Sequence, residues 1–153
     1  MKKSAHFLFF VALSFCLDAQ ILRQEYHFSN PRIEGKGNEK TIAISDCKNI
    51  GLNGQPLLPW RTCNLLLPKG TTVEKVVIKA EAAETFTFEG ILAPAGNVLP
   101  ISQFENRQTP RIDPVTYSKT EFLGQDFSNV HYTVHYLSGN PVLMLGLSPV
   151  KYS

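Results

Sequence analysis

The chain has 153 residues, of which 43% are hydrophobic and 18% are charged, enough for one compact domain and too few for two ordinary ones. Fifteen Lys and Arg against thirteen Asp and Glu leave a formal charge of +2, with no block of like charge, which argues against nucleic acid as a partner. Ten Pro and ten Gly exclude an all-helical protein, and the apolar and aromatic content is too high for a disordered chain.

Residues 1–19 have the pattern of a secretory signal peptide. Lys2 and Lys3 precede an apolar run from Phe7 to Leu17, which is shorter than the roughly 20 residues of a transmembrane helix. We expect cleavage after Ala19, with a lipoprotein modified at Cys16 as the alternative. The chain is therefore predicted to be exported to the periplasm or the extracellular space, without membrane attachment after cleavage.

Two cysteines remain after residue 19, Cys47 and Cys63. In an exported chain the compartment permits oxidation, so a disulfide between them is the first hypothesis. Closing a loop of about 15 residues would stabilise the fold by roughly 3 kcal/mol in the chain-entropy account. The alternative is two buried thiols, because spacing in the sequence does not give the geometry of the pair.

The first half of the mature chain alternates between turn residues and short strand patterns. Residues 20–40 show neither the helical nor the strand period and are predicted to be an irregular lead-in. Thr41–Ser45 places Ile42 and Ile44 on one face and predicts a half-buried strand, the first of the β domain over residues 41–153. A turn-rich stretch over 51–59 follows, and residues 62–67 then predict a short strand that ends at Pro68.

Residues 73–88 are ambiguous, since their valines fit either a helical or a strand face. The β-branched residues and the Thr-Phe-Thr-Phe run from Thr85 to Phe88 favour strands. A short strand at 91–93 then leads into residues 94–117, which contain four prolines and no period. We predict a long exposed loop there, and loops of this length are often functional.

The C-terminal part carries a hairpin pattern. Val130–Tyr136 alternates apolar and polar residues, a turn follows at Ser138–Gly139, and Val142–Leu147 forms the second strand. With the earlier segments this predicts an all-β fold, an antiparallel β-sandwich of about six to eight short strands with one long loop.

No catalytic or metal-binding constellation stands out. His131 and His135 are four residues apart, which on a strand spans about 13 Å and is too far for one metal ion, so both are expected on a solvent face. A Cys–His nucleophilic pair would require a cysteine that is expected to form the disulfide. The glutamates within residues 81–89 are interpreted as solvated surface charges. We predict no enzyme activity, no catalytic residue, no metal and no cofactor.

Several short motifs occur in the order found in one known family. They are Gly54–Pro59 with a Gly-x-Pro-x-Leu-Pro pattern, Leu65–Val73 with a strand followed by Pro-x-Gly-x-x-Val, Leu92–Ala95, Tyr117-Ser118, Leu137–Gly139 and Pro149–Tyr152. Together they make the chain resemble the N-terminal propeptide domain of gingipain-type cysteine peptidases of the Bacteroidetes group. It departs from the family at Ser138, where Arg is usual, and at Leu123, where Pro is common.

The resemblance implies a domain that keeps a cysteine peptidase latent by laying a loop over its active-site cleft, and that assists its folding. The segment 94–117 falls where the family's inhibitory segment falls. By position Ile101 and Ser102 match it best, whereas Arg107 and Arg111 supply the basic side chain that Arg-specific members would accept. The partner is then a cysteine peptidase catalytic domain, in cis in the family and in trans here.

In the family the Pro-x-x-Tyr strand is followed by further strands and then by the catalytic domain, whereas this sequence ends at Ser153. The resemblance therefore implies a propeptide domain that is incomplete at its C-terminus and lacks the catalytic domain. The alternative hypothesis is a stand-alone secreted β-sandwich that serves as a binding or adhesion module. Neither hypothesis requires a catalytic residue.

Overall fold

The computed structural model describes residues 20–81, 83–106, 108–127 and 130–153. The predicted signal peptide, residues 1–19, lies outside this part. No helix of the described residues is long and apolar enough to cross a membrane. The described strands are β1 (Arg32–Glu34), β2 (Glu39–Ala43), β3 (Lys48–Ile50), β4 (Leu58–Leu66), β5 (Ile91–Leu92), β6 (Leu123–Gly124), β7 (Tyr132–Leu137), β8 (Asn140–Leu147) and β9 (Lys151–Tyr152), with a 3₁₀ helix at Ile101–Asn106 and a short helix α1 at Pro114–Tyr117.

These strands form three sheets. The first has the order β1-β2-β5, the second β3-β4-β8-β7, and the third β6-β9. All pairings are antiparallel except β2 with β5. The predicted all-β fold is confirmed, and the strand number exceeds the predicted six to eight because β5, β6 and β9 have two residues each, too few to show a period in the sequence.

The β7–β8 hairpin is the most regular part of the fold and agrees with its prediction. Ser138 and Gly139 form the two-residue turn with φ of 51° and 79°, the combination of a type I′ turn, whose twist matches that of the strands. β8 lies between β4 and β7. Its odd-numbered residues from Pro141 to Leu147 are buried, so one face of this sheet covers the core.

Beyond the end of the β7–β8 pairing, a glutamine side chain forms hydrogen bonds with the backbone of β8 and of the residue that follows it. Gln125 donates from Nε2 to the Gly146 carbonyl at 2.8 Å and accepts from the Ser148 amide at 2.8 Å. Both backbone groups point to the side of β8 on which β7 lies. The buried amide of Gln125 thus satisfies backbone groups that would otherwise lack a partner.

Two hydrophobic clusters fill the interior. The first consists of Ile42, Ile44, Leu58, Leu92 and Val150, and the second of Cys63, Leu143, Leu145 and Leu147. Because the first cluster combines β2 and β5 with the start of β4, the first two sheets pack against each other through it. The predicted inward face of Thr41–Ser45 is confirmed, with Ile42 1% and Ile44 7% exposed.

The predicted irregular lead-in over residues 20–40 is wrong in two respects. β1 lies within it and β2 starts before its end, so strand structure begins at Arg32 instead of Thr41. Tyr26 and Phe28 also pack against the hydrophobic clusters, and the Ser45 amide donates to Ser29 Oγ at 3.0 Å. These two aromatic side chains bury apolar surface, but because their backbone is irregular they produce neither the helical nor the strand period in the sequence.

The predicted strands within residues 73–88 are also wrong. The described residues of this segment have no strand pairing, yet Val73, Val76 and Ile78 pack against the second cluster and Phe88 against the first. The segment covers the core with side chains while its backbone joins no sheet. By contrast, β4 is longer than predicted, since it begins at Leu58 and pairs Pro59 with Asn49.

The structure does not contain the predicted disulfide, because Cys47 and Cys63 are both free thiols. They belong to different packing environments: Cys47 lies beside the first cluster, whereas Cys63 is a buried member of the second. The Cys63 thiol donates instead to the Arg61 carbonyl, with a sulfur–oxygen distance of 3.9 Å. The oxidation state of the pair in an exporting cell stays a prediction.

Candidate functional site

The segment 94–117 leaves and re-enters the fold at a well-defined place, which we call the loop base. It consists of the turn Asn53–Pro56, residues 93–95 and residues 113–117. Gly54 donates its amide to the Ala95 carbonyl at 2.9 Å, and the Ala95 amide donates to Gln55 at 2.7 Å. On the returning side, the Asp113 amide donates to the Gly54 carbonyl at 2.9 Å. One turn therefore holds both ends of the loop.

Gly54 is needed at this position for two reasons. Its φ is +79°, a left-handed conformation that other residues adopt only at a cost. A Cβ there would also lie 3.1 Å from Asp113 Cβ and 3.2 Å from the Arg111 carbonyl oxygen. A second close approach occurs next to the loop base, where a Cβ on Gly96 would lie 3.2 Å from Pro110 Cγ. The outgoing and returning arms of the loop therefore lie close together at Gly96, Pro110 and Arg111, which we call the neck.

Helix α1 fixes the returning end of the loop. Asp113 is its N-cap and Pro114 its first residue, the arrangement typical of a helix start. Asp113 Oδ1 accepts from the Val115 amide at 3.1 Å, and Oδ2 accepts from the Thr116 hydroxyl. The hydrogen bond from Thr116, followed by those from the backbone amides, lowers the pKa of Asp113.

Tyr117 ties α1 to the core. Its hydroxyl donates to the Leu92 carbonyl at 2.6 Å, and its ring packs edge-on against Tyr152, which in turn stacks on Phe88. Burial, with smaller contributions from Tyr152 and Glu39, raises the pKa of Tyr117 to about 12. The hydroxyl therefore stays protonated and donating over the whole physiological range.

Beyond the neck lies the part that we call the loop tip, residues 97–109. Val98 is 98% exposed, and Asn97, Pro100, Ser102, Gln103 and Glu105 are exposed as well. A short 3₁₀ helix, Ile101–Asn106, gives the tip its local shape. The predicted long exposed loop is confirmed in part: the described residues of 94–117 form no strand, but Pro94, Ala95 and Thr116 are buried, and Pro114–Tyr117 is helix α1.

The candidate inhibitory residues occupy different parts of this loop. Ile101 and Ser102 are the first two residues of the 3₁₀ helix, at the tip. Arg111 is exposed and lies at the neck, two residues before the Asp113 amide that bonds to Gly54. Arg107 lies outside the described residues.

Three residues of the loop base, Gly54, Asp113 and Tyr117, were not singled out as functional from the sequence. The Asp113-Pro114 pair is a helix-start signal that could have been read locally. The bond between Asp113 and Gly54 joins residues far apart in the chain and left no local signal. Tyr117 was noted only as part of a motif, and its bond to Leu92 depends on the folded structure.

Neither a metal site nor a nucleophilic thiol is supported by the described residues. They contain no group of three or more His, Cys, Asp or Glu side chains that could hold a metal ion, and His131 and His135 are exposed on or beside β7 as predicted. Burial raises the pKa of the Cys63 thiol, against which a hydrogen bond with Tyr26 acts. A buried thiol with a raised pKa is a poor nucleophile.

The fold resembles that of a solved structure. Residues of this chain match a structure on the zymogenic latency of gingipain K from Porphyromonas gingivalis, with a TM-score of 0.51, 20% identity, and coverage of 80% of this chain and 68% of that chain. At this identity the likeness concerns the fold alone. No curated protein matches the chain at a significant level.

A family model gives the assignment. The model described as Propeptide_C25 matches residues 20–153, from the predicted cleavage site to the last residue of the sequence given. This range includes every strand of the described residues and the whole of the loop base and tip. The chain therefore belongs to the Propeptide_C25 family, and it is a propeptide domain of a peptidase zymogen that is not itself catalytic.

Proposed function

We propose that this domain keeps an exported gingipain-type cysteine peptidase latent by laying the loop 94–117 over its active-site cleft, and that it assists the folding of that peptidase. One observation carries the proposal: the loop has an exposed tip on a base held by backbone hydrogen bonds at both ends. An inhibitor gains affinity from such a loop because little ordering entropy is lost on binding. Family membership supplies the partner, a cysteine peptidase catalytic domain.

The tip residues Ile101 and Ser102 are proposed to enter the cleft, with Arg107 and Arg111 as the candidates for a charged contact. Arg111 is exposed, and its backbone lies two residues before the Gly54–Asp113 bond, which favours a fixed starting point for its side chain. A cleft that carries a carboxylate can bind a guanidinium through two parallel hydrogen bonds. Arg107 remains a candidate on its sequence position alone.

The test is inhibition in trans. The purified domain is added to a gingipain-type peptidase, and the inhibition constant is measured for the natural sequence and for a variant in which residues 97–109 are replaced by a short Gly-Ser turn. We expect the turn variant to stay folded and lose inhibition. Inhibition that persists without the tip would contradict a loop in the cleft, and absence of inhibition by the natural domain would favour the stand-alone binding module.

Single substitutions separate the candidates. Arg107→Ala and Arg111→Ala are compared with Lys119→Ala, which removes an exposed charge beyond α1. Loss of a buried guanidinium–carboxylate pair weakens binding by about 2–5 kcal/mol, whereas loss of a contact at the rim has little effect. Ile101→Asp tests the tip without removing a positive charge. Full inhibition by both arginine variants would remove the arginines from the mechanism and leave Ile101 and Ser102.

A further inference from the structure

The four-stranded sheet has two very different edges. At one edge, β3 has only three residues and carries Lys48, so it is short and charged, as protected edges usually are. At the other edge, β7 has six residues, Tyr132–Leu137, with no Pro and no Asp, Glu, Lys or Arg. Among the described strands, only β8 pairs with β7, which leaves its outer edge open.

The outward backbone groups of β7 can be assigned from the hairpin. In a two-residue type I′ hairpin the closing pair, here Leu137 and Asn140, is hydrogen-bonded, and bonded and non-bonded pairs then alternate along the strands. The Pro141 carbonyl confirms which residues of β8 face β7 and which face β4. Pro141 belongs to a non-bonded pair of the β7–β8 hairpin, and its carbonyl accepts from the Leu67 amide on the side of β4. It follows that Tyr132, Val134 and Tyr136 direct their amide and carbonyl groups to the open edge.

The same three residues are large, and they share one face of the strand. Val134 is 36% and Tyr136 is 70% exposed, although both lie on the face that β8 uses for Leu143 and the other buried residues. Tyr132 packs against the second cluster. An apolar face and a free backbone edge therefore coincide at β7.

The order of residues in β7 is close to a palindrome centred on Val134. If a second β7 lies antiparallel with Val134 opposite Val134 of the other copy, Tyr132 lies opposite Tyr136 and Thr133 opposite His135. Side chains directly opposite then share a face, as antiparallel pairing requires, and the residues with outward amides form the hydrogen-bonded pairs. Aromatic and β-branched cross-strand pairs stabilise sheets, and no like charges meet.

We propose that β7 is a self-association edge, on which a second copy of this chain pairs β7 with β7 around a two-fold axis at Val134 to form one continuous eight-stranded sheet. The self-complementary order of the strand identifies a second copy as the occupant. A two-fold axis closes the assembly at the dimer, because each copy has one such edge. β7 contributes no residue to the loop base or tip, so this surface is distinct from the proposed inhibitory loop.

The experiment measures the oligomeric state of the full chain, expressed for export and purified, by light scattering and sedimentation over a concentration series. We expect a dimer for the natural sequence and a monomer for Val134→Lys and for Val134→Glu, in which like charges meet at the axis. Mixing these two variants should restore a dimer, because Lys then faces Glu. The control is Asn64→Lys, on an exposed position of β4 away from the edge, which should remain dimeric.

A second measurement needs no variant. Hydrogen exchange of the natural chain should slow with rising concentration at the amides of Tyr132, Val134 and Tyr136, while Thr133 and His135, which already bond to β8, should not change. A natural sequence that is monomeric at every soluble concentration would overturn the proposal. So would a mixture of the Lys and Glu variants that stays monomeric, or exchange that is independent of concentration at these three amides.

Discussion

The loop base is held by backbone hydrogen bonds and contains several buried residues, whereas most tip residues whose side chains are described are exposed. The base joins the turn Asn53–Pro56 to residues 93–95 and 113–117 through three backbone hydrogen bonds of 2.7 to 2.9 Å. The tip, residues 97–109, reaches 98% exposure at Val98. The two regions are neighbours in sequence and opposite in construction.

The difference teaches how one segment can serve both stability and recognition. Changes at the base are expected to lower the free energy of unfolding, because they remove buried contacts or strain the backbone. Changes at the tip are expected to leave stability unchanged and to affect binding alone. The following substitutions test this division, from the largest expected loss of stability to none.

Gly54→Ala should give the largest loss. The added Cβ forces a left-handed φ of +79° on Ala and lies 3.1 Å from Asp113 Cβ, so we expect the free energy of unfolding to fall by about 2–4 kcal/mol, combining the left-handed cost with overpacking. Urea unfolding followed by circular dichroism measures it.

The matched control is Gly70→Ala. Gly70 has nearly the same φ, +82°, but a Cβ there meets nothing within 4 Å, so only the left-handed cost of about 1–2 kcal/mol remains. The difference between the two variants isolates the crowding at the loop base. Equal losses would show that the contact between Gly54 and Asp113 does not constrain the loop.

A structural feature of this domain could be predicted from the sequence when the residues that cause it lie close together in the chain. The β7–β8 hairpin was predictable because Ser138-Gly139 and the alternation of both strands act within a few residues. The buried face of Ile42 and Ile44 was predictable for the same reason. The extent of the loop followed from its prolines and its lack of period.

The failures share one physical origin, since each depends on a partner that is distant in the chain. Residues 73–88 have the composition of a strand, but their described backbone pairs with no strand, and some of their side chains pack against the core instead. Tyr26 and Phe28 are partly buried against elements far along the sequence. The loop base was missed because the Asp113–Gly54 bond has a separation that no local pattern encodes.

Tyr117→Phe should cause the next largest loss. It leaves the ring in contact with Tyr152 but removes the 2.6 Å hydrogen bond to the Leu92 carbonyl, and an unsatisfied partly buried carbonyl costs about 1–3 kcal/mol. Thr120→Val, which removes the hydroxyl of an exposed residue, is the control and should change the unfolding free energy little. If both variants lose the same amount, the Leu92 bond does not hold α1.

The same hydroxyl predicts a dependence on pH at the alkaline end. The pKa of Tyr117 is raised from 10.0 to about 12 in the folded state, so its contribution to stability is complete below pH 10 and is lost as the pH rises toward 12. The stability difference between the natural chain and Tyr117→Phe should therefore shrink over this window. A difference that stays constant from pH 9 to 12 would contradict the raised pKa.

Asp113 predicts a weaker effect at the acid end. Hydrogen bonds from Thr116 and the backbone lower its pKa below 3.8, so its contribution is present above pH 3.8 and is lost as the pH falls through the folded-state pKa. Asp113→Asn keeps one acceptor for the Val115 amide and should abolish this dependence, with a small loss of stability at neutral pH. Unfolding free energies measured on both sides of pH 3.8 test it, and identical acid dependence in both chains would exclude Asp113 as its source.

Replacement of residues 97–109 by a short Gly-Ser turn should have the smallest effect on stability, although it removes the most residues. The neck already brings Gly96 within contact distance of Pro110, so a short turn can close the gap, and the closure entropy of a loop changes by only about 0.6 kcal/mol for each doubling of length. We expect the unfolding midpoint to stay within that margin while inhibition of a peptidase is lost. Removal of exposed residues that make no packing contacts should cost little stability. A large destabilisation would therefore mean that the tip packs on the domain, and that the base and the tip form one structural unit.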